Sequence, residues 1–285
     1  MNSKFPTAMA AVTLLTVATL SGCGGDSSSS TTKVSADCTP KHEFKTMKDG
    51  TLSVVSFDIP PFTKVEGNDL IGVEGDILKA IAKMECLTLS VKAAGAAAVI
   101  PTVQAGRADL AAGDWYRTAE RAKVLDLSDP LYLDDMALVS QEGVSAIPDL
   151  KSKGLTVGTV EGYLWVADLK DYLGGKLKTY PSGVNCYQDL EAGRVDVCVD
   201  AYGAAVYTTK GKKLKVEKAN PFDEVAASVE AAQSTFPIPK GHEDMLKAIN
   251  EDIAELRSSG ELARILTKNG LDASAAEVGE PRLIG

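Results

Sequence analysis

The residues best able to do chemistry crowd into one stretch. Gly113-Asp114-Trp115-Tyr116-Arg117-Thr118-Ala119-Glu120-Arg121 carries two aromatic rings, two guanidinium groups and two carboxylates within nine residues. It follows Ala108-Asp109-Leu110-Ala111-Ala112, which reads as a buried strand. Polar anchors and rigid rings just past a strand are what a parallel α/β sheet offers a ligand at its carboxyl edge. The chemistry is that of binding. An arginine fork matches a carboxylate bidentately, and a carboxylate takes an ammonium group. Motifs for catalysis are missing: the two histidines, His42 and His242, sit in none, and there is no H-E-x-x-H, G-x-S-x-G, Walker loop or C-x-x-C. No enzyme activity, cofactor or metal is expected.

The elements that must position this stretch follow from periodicity. Thr51–Phe57 reads as a strand, broken by Pro60 and Pro61. Gly75–Leu87 carries Ile77, Leu78, Ile81 and Met84 at helical spacing, Leu87–Val91 is a strand, Ala97–Gln104 a helix and Ala108–Ala112 a strand. The order then repeats: strand Leu155–Thr159, helix Leu164–Leu173, strand Leu177–Tyr180, helix Val184–Leu190, strand Val195–Val199. Both halves contain a Gly-Arg-x-Asp junction, at Gly106–Asp109 and Gly193–Asp196, which would otherwise be a coincidence of helix stops. The expected fold is α/β, with two βαβαβ lobes joined by two hinge crossings. The crossings are placed near Leu138–Gln141 and Ala231–Ser234, Glu224–Phe236 is taken as extended, and helices at Asp244–Leu256 and Glu261–Leu266 return to the first lobe. The domain reading is 44–138 for the first part of lobe 1, 139–232 for lobe 2, 233–270 for the return helices and 271–285 for a loose tail.

The N-terminus reads as a signal. Lys4 precedes an apolar run from Ala8 to Leu20, too short to span a bilayer comfortably. It ends in Leu20-Ser21-Gly22-Cys23, which resembles a bacterial lipobox. That implies a signal peptide at 1–22, lipidation at Cys23 and attachment to the outer face of a membrane or in a periplasm. The alternative is a plain secretory signal with an incidental cysteine. A flexible tether is read at 23–43, rich in Gly and Ser over Gly24–Asp37. Cys38, Cys86, Cys186 and Cys198 remain, an even number that suggests disulfides in an exported chain. Three pairings are possible, and 38–86 with 186–198 is favoured over the others and over free thiols. The net charge of −9 across 285 residues, with no basic stripe, argues against nucleic acid.

Together these pieces resemble the periplasmic solute-binding proteins of ABC transporters, in the family that binds amino acids. The matching segments run in the family's order: Asp58-x-x-Pro61-Phe62, Gly72-x-x-Gly75-Asp76-Ile77-Leu78, Ile100-Pro101, Thr118-x-Glu120-Arg121, Asp126-Leu127-Ser128-Asp129-Pro130, Gly158 to Gly162 and Gly193-Arg194-Val195-Asp196. The resemblance covers about Leu52 to Leu266. It implies a type II two-lobed periplasmic-binding-protein fold, a small-molecule ligand in the inter-lobe cleft, delivery to an ABC permease, and a monomer. By resemblance Arg121 binds the ligand carboxylate, Asp200 takes its amino group, the turn at Gly162, Tyr163 and Leu164 meets the carboxylate with backbone N–H groups, and Phe62 or Phe57 forms an aromatic wall. Thr118 belongs to the same pattern. Asp114, Trp115 and Tyr116 stand where the family has small or hydroxyl residues, and Tyr163, Trp165 and Tyr202 add rings near the rim. An amino acid or an aromatic or cationic amine is therefore the expected ligand.

Each assignment has a plainer competitor. Arg121 could pair with Asp126 or Glu120, Asp200 could cap the next helix, Trp115 and Tyr116 could be interface packing, and Trp165 could be core. Arg117 reads as a solvated or lobe-bridging charge. A dehydratase acting on prephenate-like acids, with Asp114 as its acid, and a non-transport sensor lipoprotein are the other functional readings.

Overall fold

The computed structural model describes residues 37–284. The expected signal peptide, Cys23 and most of the expected tether lie outside the described residues. The first half of the chain forms β1 (Thr51–Ser56), β2 (Lys64–Glu66), β3 (Asp69–Ile71), α1 (Val73–Met84), β4 (Thr88–Ala93), α2 (Ala96–Gln104) and β5 (Leu110–Ala111). Then come β6 (Trp115–Tyr116), α3 (Ala119–Val124), β7 (Leu125–Leu127) and β8 (Leu133–Asp134). Strands β4, β1 and β5 make a parallel sheet in that order. Ile77, Leu78 and Ile81 of α1, with Val99 and Val103 of α2, bury against Val54 and Leu110. The periodic spacing of these apolar residues is what makes both helices one-sided.

The second half repeats the design. It contains β9 (Met136–Ser140), α4 (Ile147–Ser152), β10 (Val157–Val160), α5 (Val166–Leu173), β11 (Leu177–Tyr180), α6 (Gly183–Glu191), β12 (Val197–Ala201), α7 (Tyr202–Thr209) and β13 (Lys215–Lys218). The sheet order is β11-β10-β12-β9-β13, with β10, β11 and β12 parallel and β9 antiparallel to both its neighbours. The parallel cores of the two sheets thus share one winding. The chain closes with β14 (Ala232–Thr235), β15 (Pro237–Pro239), α8 (Glu243–Ser258) and α9 (Glu261–Lys268). Helices α8 and α9 pack on α1. Strand β14 pairs with both β6 and β8, so the segments that run between the two sheets lie side by side.

Several expectations need correction. Helix α1 stops at Met84, not Leu87, because Cys86 takes a left-handed conformation (φ 55°) and the Leu87 N–H returns to the Ala82 carbonyl. Strand β9 already belongs to the second sheet from Met136, so the first crossing falls before Leu138. Only Ala232–Thr235 is extended as β14 within the Glu224–Phe236 segment, and a 3-10 turn occupies Ala226–Ser228. The tail is not loose: Gln233 Nε2 donates to the carbonyls of Val278 and Glu280 at 2.8 Å each, and Ile284 exchanges backbone hydrogen bonds with Arg117 and Ala119. The expected tether at 23–43 does not run to residue 43: Cys38 is bonded to Cys86 and His42 to Glu85, so the chain from Cys38 on is pinned to the body. Cys38–Cys86 and Cys186–Cys198 are disulfides, as favoured from spacing.

Candidate functional site

The site is organised by a carboxylate that periodicity hid. Glu74, in the first turn of α1, is fully buried. It accepts hydrogen bonds from the Gly113 N–H (2.6 Å), the Asp114 N–H (2.8 Å), the Tyr132 hydroxyl (2.7 Å) and the Ser234 hydroxyl (3.2 Å). Burial raises its pKa against the opposing pull of these four donors. Glu74 therefore fixes the turn after β5. Gly113 is required there: its φ is +139°, and a Cβ would sit 2.5 Å from the Phe57 ring. Asp114 is also left-handed (φ 53°), a strained state for a non-glycine residue.

That turn aims the predicted cluster into one small cavity. Its lining includes Phe57, Asp114, Trp115, Tyr116, Arg121, Tyr163 and Trp165. The volume is about 20 Å³, room for roughly one water. Trp115 lies 5.6 Å from Phe57, Tyr116 lies 6.3 Å from Trp165, and Tyr163 meets Trp165 edge-on at 5.4 Å. Rings from the two halves of the chain thus face each other across the cavity.

Arg121 makes no ion pair among the described residues. Asp126 pairs instead with Lys240 at 2.8 Å. The Arg121 guanidinium donates to the Tyr116 carbonyl (2.8 Å) and lies 4.9 Å over the Trp115 ring. Burial pulls its pKa down to about 10. Thr118 does not line the cavity; its hydroxyl accepts from the Arg121 N–H (3.1 Å) and caps α3, which carries Arg121.

Acids oppose this single cation. The carboxyl groups of Asp114 and Asp134 are both buried and close enough to shift one another's titration. Burial, then the charges of Asp134 and Glu74, push Asp114 well up. Burial lifts Asp134 to about 7, moderated by the N–H groups of Gly203 and Asp135. Two such close carboxyls hold one proton between them more readily than two charges. Asp114 Oδ1 and Trp115 Nε1 are buried with no hydrogen-bond partner.

Asp200 lies on an adjacent cavity of about 490 Å³, and Tyr163 borders both. Asp200 accepts from Tyr187 (2.8 Å) and the Ala201 N–H (2.9 Å), and burial raises it to about 6. It is not the helix cap; Ala201 holds that position for α7. Three expected residues fall elsewhere. Phe62 stacks on Tyr132 at 5.2 Å and abuts Gly203, Gly162 abuts Ala97 of α2, and Tyr202 lies under Lys218. Trp165 is core as well as wall: it is 2 % exposed, and its N–H donates to Thr159 Oγ1 at 2.7 Å. Arg117 does not bridge the lobes; half-buried, it donates to the carbonyls of Leu127 and Ser128.

Glu74 and Asp134 escaped sequence reasoning. An acid in a helix's first turn is ordinary dipole complementation, and Asp134 sits beside Asp135 with nothing to distinguish it.

Two α/β lobes of like winding, linked by paired segments and enclosing a cavity of rings, one arginine and one acid, Asp114, define a two-lobed ligand-binding protein. The chain matches the bacterial extracellular solute-binding proteins, family 3, over residues 53–272, and belongs to that family. It is 29% identical to the L-cystine-binding protein TcyJ of Escherichia coli (strain K12) over 79% of this chain and 84% of that one. It is 25% identical to the arginine-binding extracellular protein ArtP of Bacillus subtilis (strain 168), over 75% of this chain and 83% of the relative. Among solved structures, the substrate-binding protein of an amino acid ABC transporter superposes with TM-score 0.69 at 30% identity, covering 78% of this chain and 99% of that one. An ancestral arginine-binding protein bound to arginine gives 0.68 at 27%, covering 78% and 98%. The fold is the type II two-lobed periplasmic-binding-protein fold. No helix of the described residues is long and apolar enough to cross a membrane.

Proposed function

We propose that this protein captures an α-amino acid bearing an additional amine or cationic group and delivers it to an ABC permease. The observation that carries this reading is Arg121: a partly buried guanidinium on the cavity wall with no carboxylate partner. It is set against Asp114, whose Oδ1 is equally unpartnered. The arginine takes the α-carboxylate. Asp114 with Asp134, and Asp200 beyond Tyr163, exceed what one α-ammonium needs, so a second positive group on the ligand is accommodated. The relatives named for L-cystine and arginine are consistent with an amino acid of this kind.

A thermal-shift screen over amino acids and amines, followed by calorimetry, tests the reading. Micromolar affinity, about 8 kcal/mol, is expected for the best ligand. Arg121→Ala loses two charge-assisted hydrogen bonds of about 1.5–3 kcal/mol each and should weaken binding more than about 100-fold. An Arg121→Ala protein that keeps the parent's affinity would sink the assignment. A screen with no hit, together with turnover of a prephenate-type acid, would favour the dehydratase instead.

The lipid anchor belongs to the same proposal. Cys23→Ala should move the protein from the membrane fraction to the soluble fraction and remove palmitate labelling; unchanged membrane association would refute it.

A further inference from the structure

A second polar cluster lies on the outer side of lobe 1, among residues that do not line the ligand cavity. Helix α8 buries one stripe: Met245, Ala248, Ile249, Ile253 and Leu256. Asp252 falls on that stripe and is 1 % exposed. Neither of its carboxylate oxygens has a hydrogen-bond partner. An uncompensated buried carboxylate costs several kcal/mol, so a proton or a cation must offset it. Glu85, at the C-cap of α1, is 3 % exposed and faces the same spot. His42 joins them from the N-terminal segment. Its Nδ1 is 2.7 Å from Glu85 Oε1, and its backbone N–H donates to Glu85 Oε2 at 3.1 Å. One ligand atom from each of His42, Glu85 and Asp252 lies within 4.8 Å of the other two, the one group of three such side chains among the described residues.

We propose that His42, Glu85 and Asp252 form a divalent-cation site, of a kind that suits Zn²⁺, fastening the N-terminal segment to α1 and α8. The donor set is one imidazole and two carboxylates, which favours zinc over calcium, since calcium takes six to eight oxygens. Ligand atoms around a tetrahedral zinc stand about 3.4 Å apart at bond lengths of about 2.1 Å. The His42 Nδ1–Glu85 Oε1 pair, now 2.7 Å apart, would open on a bound ion, and the wider separations, all within 4.8 Å, would shorten towards that value. The outer partner is already in place. His42 Nε2 is 2.7 Å from Glu251 Oε2, so a ring that ligates through Nδ1 gives its remaining N–H to a carboxylate. The segment bearing His42 is tied nearby by Cys38–Cys86 and by Lys41, which bonds Glu255. A cation would therefore complete a clasp at the point where the chain leaves its N-terminal arm. The competing explanation is one proton held between Asp252 and Glu85.

The test uses the full chain, stripped with a chelator and dialysed at pH 7.5. Titration with Zn²⁺ alone should show one saturable equivalent by calorimetry. At a hundredfold excess over Kd, the melting temperature should rise by about 5–10 °C. Ca²⁺ should give no comparable rise. His42→Gln and Asp252→Asn should each lose the equivalent, Glu251→Gln should weaken it about 10-fold, and His242→Gln should leave it unchanged. Asp252→Asn also removes the buried charge, so its metal-free form should melt no lower than the parent, which separates loss of the site from loss of the fold. Absence of a saturable equivalent in the parent overturns the proposal. So does a zinc response that survives in both His42→Gln and Asp252→Asn. Stabilisation by Asp252→Asn in a parent that takes up no ion would assign the cluster to a shared proton.

Discussion

Arg121 and the carboxyls around it make the site's electrostatics depend on pH. Asp134 and Asp200 stand raised, to about 7 and about 6, because burial disfavours their charged forms. A ligand ammonium requires those charges, so binding near neutrality must expel protons. If one proton leaves, affinity should improve about tenfold per pH unit up to about pH 7 and level off above it. Calorimetry from pH 5.5 to 8.5, in two buffers of different ionisation enthalpy, measures both the slope and the proton count. A flat profile would remove these acids from the ligand's coordination. Stability of the ligand-free protein should run the other way. These folded-state pKa values exceed the ordinary aspartate value of about 3.9, so their contribution is fully present below that value and is lost as pH rises through about 7. The ligand-free melting temperature should therefore fall between pH 5 and pH 8.

At the scale of elements, the turn between β5 and β6 is held by the first turn of α1. Glu74 meets four donors, which needs both carboxylate oxygens. Glu74→Gln keeps one acceptor oxygen and turns an amide against the remaining N–H or O–H. A cost of about 2–4 kcal/mol is expected, seen as a melting point lower by about 5–10 °C. A shift within about 1 °C of the parent would show that the turn stands without this carboxylate. The same elements show why the sequence was readable in some places and not in others. Helices α1 and α8 betray themselves through Ile77, Leu78 and Ile81, and through Met245, Ile249 and Ile253, because a one-sided apolar stripe has a period. Helix α7, Tyr-Gly-Ala-Ala-Val-Tyr-Thr-Thr at Tyr202–Thr209, has no polar face to contrast with its apolar one. It also starts directly from β12, so no loop marks it. Trp115, Tyr116 and Arg121 stand out in the sequence because two rings and a guanidinium fall within seven residues, and the fold brings all three to one cavity wall. Phe62 and Gly162 rest on the family resemblance alone, which does not fix packing; in the fold Phe62 stacks on Tyr132 and Gly162 abuts Ala97.

At the scale of the whole molecule, the cavity of about 20 Å³ is too small for an amino acid, so the proposed function requires the cross-cleft contacts to part before a solute enters. Those contacts include Tyr116 with Trp165, Phe57 with Tyr163 at 6.3 Å, the Gly203 N–H with Asp134 at 3.2 Å, Phe62 against Gly203, and Gly162 against α2. The disulfides do not resist this movement, since each lies within one lobe: Cys38–Cys86 beside α1, and Cys186–Cys198 between α6 and β12. Gly162 offers a direct probe of closure. A Cβ there would lie 3.0 Å from Ala97 Cα and 3.1 Å from its nitrogen, both backbone atoms of the opposite lobe that cannot rotate away. The backbone strain of an alanine at φ +85° is the same whether the lobes are together or apart, so it drops out of the comparison. If the lobes part as proposed, the contact with Ala97 is lost, so it bears on the closed form alone. Gly162→Ala should therefore raise Kd about 10-fold by lowering the closed population. Small-angle scattering at saturating ligand should show a larger radius of gyration than the parent's. A parent-like Kd with a parent-like radius would mean that the ligand-bound state does not bring Gly162 onto Ala97, and the closing geometry inferred from these contacts would be wrong.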